Sequence, residues 1–251
     1  MATTKKRKIV RYFLLVFWVS VLGWQFLQMN ATGFDESEVF SINNQVTFNE
    51  TDSLLSFLSN DSSKHSSILF FPGALVQPKV YAPLARNLAK KGYDVHIQKI
   101  SFRVAFTDNM EQSELDRAYN FMNSSKISNW IVAGHSRGGR MASNFVSKYP
   151  KALSGMILLA TSHPKETNLT SLKFPILKIS ASEDGLASPS EIDLFSNNLP
   201  PHTNFVMING GNHSQFGHYG FQFGAGSASI SREEQQIIIL SEITDYLNSI
   251  K

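Results

Sequence analysis

From residue 68 onward, short apolar runs alternate with amphipathic stretches, and this alternation leaves the chain few folds to choose from. Ile68–Phe71, Val95–Ile100, Trp130–Ala133, Gly155–Ala160, Pro175–Ser180 and Phe205–Ile208 are strand candidates, the first stopped by Pro72-Gly73. Between them, Val80–Lys91 places Leu84, Ala85 and Leu88 on one helical face and stops at Gly92. Glu111–Met122 gathers Leu115, Ala118, Tyr119 and Met122 on one side. Gly138–Lys148, Pro189–Phe195 and Arg232–Leu247 complete the helices. Strands that are apolar at every position must be covered on both faces, which parallel strands with helical crossovers achieve. The pattern predicts an α/β class: a mostly parallel, doubly wound sheet with helices on both faces. Weak alternation over Val39–Phe48 is expected to start the sheet, and Asp61–Ser67 reads as a polar loop. Only Thr161–Phe174 joins the two strands that follow the Gly138 helix, too short for a large cap domain.

The first thirty residues follow a different logic. Lys5, Lys6, Arg7, Lys8 and Arg11 form a basic cluster with no acidic residue before Asp35. Tyr12–Met29 carries no charge and is just long enough to cross a bilayer core as a helix. Trp24 near its far end suits the interfacial belt, and the cluster would remain on the cytoplasmic side. The expected organisation is a basic tail at 1–11, a transmembrane signal anchor at 12–29, a linker at 30–37 and one domain at 38–251. A cleaved signal peptide is the competing reading, although the apolar stretch is long and no convincing Ala-x-Ala site follows. Either reading puts the domain outside the cytoplasm.

The chain has 23 Lys and Arg against 20 Asp and Glu. With five of those cations in the tail, the rest is mildly acidic, which argues against nucleic-acid binding through a basic face. No cysteine is present, which excludes disulfides, thiolate metal sites and a cysteine nucleophile. No His/Asp/Glu cluster has zinc-protease spacing, and nothing calls for a metal or cofactor. Asn-x-Ser/Thr triplets such as Asn60-Asp-Ser62 and Asn123-Ser-Ser125 are expected by chance in so Asn- and Ser-rich a chain. A third, Asn212-His213-Ser214, falls in the candidate site.

Trp130–Arg140 reads Trp-Ile-Val-Ala-Gly-His-Ser-Arg-Gly-Gly-Arg. An apolar run enters a Gly-His-Ser136-Arg-Gly turn and a helix follows, the setting in which a serine is lifted out as a nucleophile. The pentapeptide alone recurs by chance, so the partners decide. A serine hydroxyl needs a general base to take its proton, and the base needs a carboxylate to orient it. In this architecture they follow in the order Ser, Asp or Glu, His, each after its own strand. Asp184 follows the Pro175–Ser180 strand and His213 follows the Phe205–Ile208 strand through Gly210-Gly211. Both fall at carboxyl ends of strands, where open α/β sheets build their sites. The oxyanion donors are expected to be the Arg137 N–H and, from the loop Pro72-Gly73-Ala74-Leu75, the Ala74 N–H, with Leu75 next in line.

Each residue also has a plainer reading. Ser136 could be a turn serine, and Asp184 a helix cap, with Glu183 its substitute if the register shifts. His218 competes with His213, and His135 is expected to point into packing. His65, His96, His163 and His202 read as surface or loop residues, and the Arg137 and Arg140 side chains as helix surface.

With these segments in hand, the chain resembles the α/β-hydrolase superfamily over residues 66–250, and more narrowly the compact lidless bacterial hydrolases of the dienelactone hydrolase and carboxylesterase branches. The resemblance is carried by Phe70-Phe-Pro-Gly-Ala-Leu-Val76 with Tyr81-Ala-Pro-Leu-Ala85, by Gly134-His-Ser-Arg-Gly138, by Asp184-Gly185, and by Gly210-Gly-Asn-His-Ser-Gln-Phe-Gly-His-Tyr-Gly220. It implies an α/β-hydrolase fold and Ser136, Asp184 and His213 as the triad of a serine esterase acting on a small-molecule ester. The dienelactone branch itself uses a cysteine, so its lactone substrate does not carry over. Relatives usually place aspartates where this chain has His218 and Ala225. Leu75, Phe216 and Tyr219, with Phe221 and Phe223, could line an acyl pocket, or the aromatics could pack their loop onto the domain. The same triad would also serve an acyltransferase or amidase, and a non-catalytic envelope binding domain is the reading from another class. Neither oligomeric state nor substrate is legible.

Overall fold

The computed structural model describes residues 2–61 and 66–250, with side chains described from residue 6 onward. His65 and Ser62 of the Asn60-Asp-Ser62 triplet lie outside the described residues, as does most of the expected Asp61–Ser67 loop.

Eight strands form one sheet: β1 Val46–Glu50, β2 Leu54–Ser59, β3 Ser66–Phe71, β4 Asp94–Gln98, β5 Asn129–His135, β6 Leu153–Leu159, β7 Ile176–Ala181 and β8 Asn204–Ile208. Their spatial order is β1-β2-β4-β3-β5-β6-β7-β8. β2 runs antiparallel to both of its neighbours, and every pairing from β4 to β8 is parallel.

The parallel strands are hydrophobic at nearly every position because each face has its own core. Ile68 and Phe70 of β3, Ile131 and Ala133 of β5, and Ile157 and Leu159 of β6 pack beneath helices α3 (Ala82–Lys90) and α7 (Arg232–Ser249). Their alternates Leu69, Phe71, Val132, Met156 and Leu158 face α4 (Asp108–Ser124) and α5 (Arg137–Lys148). Side chains alternate across a strand, so one short run feeds both layers, and each fully buried aliphatic or aromatic side chain contributes about 1.5–3 kcal/mol. α6 (Pro189–Leu194) is short, and the β6–β7 connection holds no helical cap.

Two expectations are corrected at the edge of the sheet. The residues read as starting the sheet instead open with a helical turn, α2 (Glu36–Val39), capped by Asp35, and the first strand begins only at Val46. β2 was not expected at all. It is held by antiparallel partners distant in sequence, which no local pattern announces.

α1 spans Ala2–Gln28, and Lys6–Gln28 is long and apolar enough to cross a membrane, with mean hydropathy 1.6 and no residue of its most apolar window buried. The segment read as a linker is stitched to the domain. Thr32 N–H donates to the His218 carbonyl at 2.9 Å and Ala31 bridges to Tyr219, while Met29, the last residue of the expected transmembrane span, is itself buried in the core of the domain.

Candidate functional site

Ser136 stands between the end of β5 and the start of α5 with φ 54° and ψ −122°. A side chain in that region costs about 1–3 kcal/mol, and the surroundings must hold it there. They do so by leaving no room. A Cβ on Gly134 would lie 2.2 Å from the Gly138 carbonyl oxygen, and one on Gly138 would lie 2.0 Å from that of Phe71. Both glycines are therefore required for α5 to press against the ends of β3 and β5. The Ser136 N–H donates to the Leu159 carbonyl at 2.9 Å, tying the turn to β6.

Asp184 and His213 meet as a buried pair. His213 Nδ1–H donates to Asp184 Oδ2 at 2.8 Å, with both side chains essentially inaccessible. The other carboxylate oxygen accepts the Leu186 and Ala187 N–H groups, each at 2.8 Å. Three donors on one carboxylate fix its rotamer. His213 Nε2 is buried with no hydrogen-bond partner among the described residues, so its lone pair is the ring's one uncommitted basic position. Ser136 Oγ bonds no described residue either. Glu183, the alternative acid, is exposed, and His218, the alternative base, packs edge-on against Phe34 at 5.5 Å.

The far end of the chain holds the base in place. Gln235 of α7 is fully buried; its Oε1 accepts the Asn212 N–H at 3.0 Å and its Nε2 donates to the Asn212 carbonyl at 2.9 Å. The Asn212 side chain donates to the Gly226 carbonyl, so this Asn-x-Ser triplet is buried structure, not an open acceptor.

His135 connects the elements. Its ring lies 4.8 Å from that of His213 and stacks on Phe216 at 5.7 Å. Its Nδ1 shares a 2.8 Å hydrogen bond with the Tyr81 hydroxyl, which also accepts the Gly73 N–H at 3.0 Å. Burial first, and then the charge of neighbouring His213, holds His135 well below its ordinary pKa of 6.5, so it stays neutral. Sequence reasoning missed Tyr81 and Gln235. Their only signal was a polar group on the buried face of a helix or turn.

In the loop after β3, the Leu75 N–H donates to the Arg103 carbonyl at 2.8 Å and is thereby committed. The Ala74 and Arg137 N–H groups donate to no group among the described residues. The side chains of Arg137 and Arg140 reach α4 and the loop before it: Arg137 donates to the Ala105 carbonyl of that loop at 3.2 Å and Arg140 to Asp108 at 3.1 Å. Leu75 is exposed. Phe216 and Tyr219 are fully buried in the core, so they pack the loop onto the domain and do not line an open acyl pocket. Phe221 and Phe223 turn outward against Trp24. His96, expected at the surface, is buried in β4, where Ser56 Oγ bonds its Nδ1 at 2.9 Å. Among the described residues no group of three His, Asp or Glu side chains is placed to hold a metal ion.

The sequence matches the model of the Alpha/beta hydrolase family over residues 67–237. Among proteins of curated function, none matches significantly. Similar solved structures include a CIB-like hydrolase from Thermoplasma acidophilum, with 14% identity and TM-score 0.61 over 80% of this chain and 98% of that one. A soluble variant of monoglyceride lipase from Saccharomyces cerevisiae aligns at 11% identity and TM-score 0.64 over 85% and 97% of the two chains. A ferulic acid esterase from Streptomyces cinnamoneus aligns at 14% identity and TM-score 0.63 over 76% and 69%. At these identities the likeness is one of fold.

Proposed function

Because the chain belongs to the alpha/beta hydrolase family, we propose that it is a membrane-anchored serine hydrolase that cleaves an acyl ester through Ser136, His213 and Asp184. The observation that carries the reading is the buried His213–Asp184 pair, with Nε2 uncommitted beside the residue that precedes a backbone-strained serine. In the reaction Ser136 Oγ attacks the ester carbonyl carbon as its proton passes to His213 Nε2. The Ala74 and Arg137 N–H groups receive the oxyanion, a contribution of about 10²–10³ in turnover for each donor. The tetrahedral intermediate collapses, the alkoxide leaves with the proton held by His213, and an acyl-serine remains. Water, deprotonated by the same nitrogen, attacks the acyl carbon, and Ser136 leaves with its proton restored. Asp184 orients the ring and stabilises the imidazolium. No cofactor enters. α1 anchors the protein, with the basic cluster on the cytoplasmic side and the domain outside.

Labelling with a fluorophosphonate probe tests this. Wild-type protein is expected to become covalently labelled and Ser136→Ala is not. Folded wild type that takes no label overturns the reading.

A further inference from the structure

The end of α1 does not hang clear of the domain. It lies against both loops that border the candidate site. On one side, Trp24 packs on Phe221 and Phe223 at 5.7 and 6.1 Å between ring centroids, in the loop that continues from His213. On the other side, the Arg103 guanidinium lies over Phe26 at 4.7 Å. The Arg103 carbonyl accepts the Leu75 N–H beside the oxyanion loop, and the neighbouring Ala105 carbonyl holds the Arg137 side chain. The end of α1 therefore sits among the loops at the carboxyl ends of the strands. Around them stand Phe102 and Phe106, 80% and 68% exposed, together with Phe221 and Phe223.

Length decides how deep this rim sits. From Arg11 to Trp24 the helix rises about 20 Å, and from Lys8 about 24 Å, against a hydrocarbon core of about 30 Å. With the cations at the opposite headgroups, Trp24 and the rings touching it fall inside the near leaflet. At that depth, unpaired polar groups cost several kcal/mol each. The two glutamines at the end of α1 remove that cost. Gln25 Nε2 donates to the Phe221 carbonyl at 2.9 Å, its Oε1 accepts the Phe223 N–H at 3.2 Å, and Gln28 Oε1 accepts the Phe221 N–H at 3.2 Å. The Gln28 carbonyl accepts the Gly220 N–H at 2.8 Å.

We propose that the aromatic rim formed by Phe102, Phe106, Phe221, Phe223 and Trp24 is bedded in the bilayer surface, and that the substrate is a membrane-resident, long-chain acyl ester that reaches Ser136 from the lipid side. The substrate clause rests on the hydrolase reading above, whereas the bedding does not. The bilayer occupies the face that a cap domain would otherwise cover, and an acyl chain moves from lipid to Ser136 without crossing water.

The absence of cysteine permits a direct test on the full chain in phosphatidylcholine vesicles. Spin labels are placed singly at Phe106→Cys and Phe221→Cys, with Ile237→Cys on the outer face of α7 as the aqueous reference. Labels at 106 and 221 are expected to be relaxed more by oxygen than by a water-soluble nickel chelate, and the label at 237 the reverse. Equal chelate access at all three positions overturns the bedding. The substrate clause is read from the Phe102→Ser/Phe106→Ser double variant, whose side chains support no core packing. Turnover of p-nitrophenyl palmitate carried in vesicles is expected to fall about tenfold as interfacial burial is lost, while aqueous p-nitrophenyl acetate stays within about twofold. Both rates falling together, or neither, overturns the substrate clause. Failure of the fluorophosphonate to label Ser136 removes the hydrolase reading and the substrate clause with it, and leaves the bedding to the spin labels.

Discussion

Lys178 lies in β7 with its ammonium inside the domain, and its Nζ donates to the His163 carbonyl at 2.9 Å. Burial alone lowers its pKa from 10.5 to about 7. The unfolded chain therefore holds this proton more tightly than the native one between pH 7 and 10.5, and stability rises with pH across that window. Below pH 7 the lysine is protonated in both states and the whole cost, about 5 kcal/mol at about 1.4 kcal/mol per pH unit, stands against the fold. Lys178→Met keeps the length of the side chain and removes the charge, but strips the His163 carbonyl of its donor, which costs about 1–3 kcal/mol. The variant is expected to be about 2–4 kcal/mol more stable at pH 6 to 7, the difference between those two terms. The gain should shrink through pH 8.5 and vanish or reverse by pH 10, where the native lysine is neutral and the unfolded one is close to its own pKa of 10.5, so that little of the cost remains. Urea unfolding of the full chain in detergent at pH 6, 7, 8.5 and 10 reads this directly. A Met variant less stable than wild type at pH 6, or a gain independent of pH, would refute the assignment of a desolvated ammonium.

His96 should set part of the acid limit. Burial lowers its pKa from 6.5 to about 4, so the stability it contributes is full above 6.5 and is lost as pH falls to 4, by about 3 kcal/mol. His96→Leu should flatten that limb of the urea midpoint against pH. Gly138→Ala, with its Cβ 2.0 Å from the Phe71 oxygen, should cost more than about 3 kcal/mol and abolish fluorophosphonate labelling, checked by circular dichroism and gel fluorescence. Asp184→Asn, which takes a charged acceptor from His213 Nδ1, should lower the kcat for p-nitrophenyl acetate by about 10⁴. Wild-type rates in this variant would remove Asp184 from its assigned role.

The central strands were legible because Leu69, Val132 and Leu158 alternate with Ile68, Ile131 and Ile157 inside runs too apolar to face water on either side. The proposed triad was legible only as an order along the chain, since Ser136, Asp184 and His213 each follow a strand. β2 was not, because its hydrogen bonds come from β1 and from β4, some forty residues later. Phe216 and Tyr219 misled because an aromatic in a loop looks the same in sequence whether it faces a pocket or the core. Gln235 and Tyr81 were hidden for a related reason. A buried polar side chain declares its purpose only when the backbone atoms it satisfies, those of Asn212 and Gly73, come into place beside it.

The glutamines at the end of α1 also impose a sequence of events in time. Gln28 and the Phe221 amide that donates to it are 193 residues apart. At about 5–20 residues per second, tens of seconds separate the synthesis of one from the other. The helix α1 is made first, and the loop beyond His213 closes onto a helix that has long been finished. On this view the first thirty residues are a template on which the last strand's loop is completed. A chain shortened to begin at Ala31 would be missing the glutamines that hold the Phe221–Phe223 loop beside the candidate site.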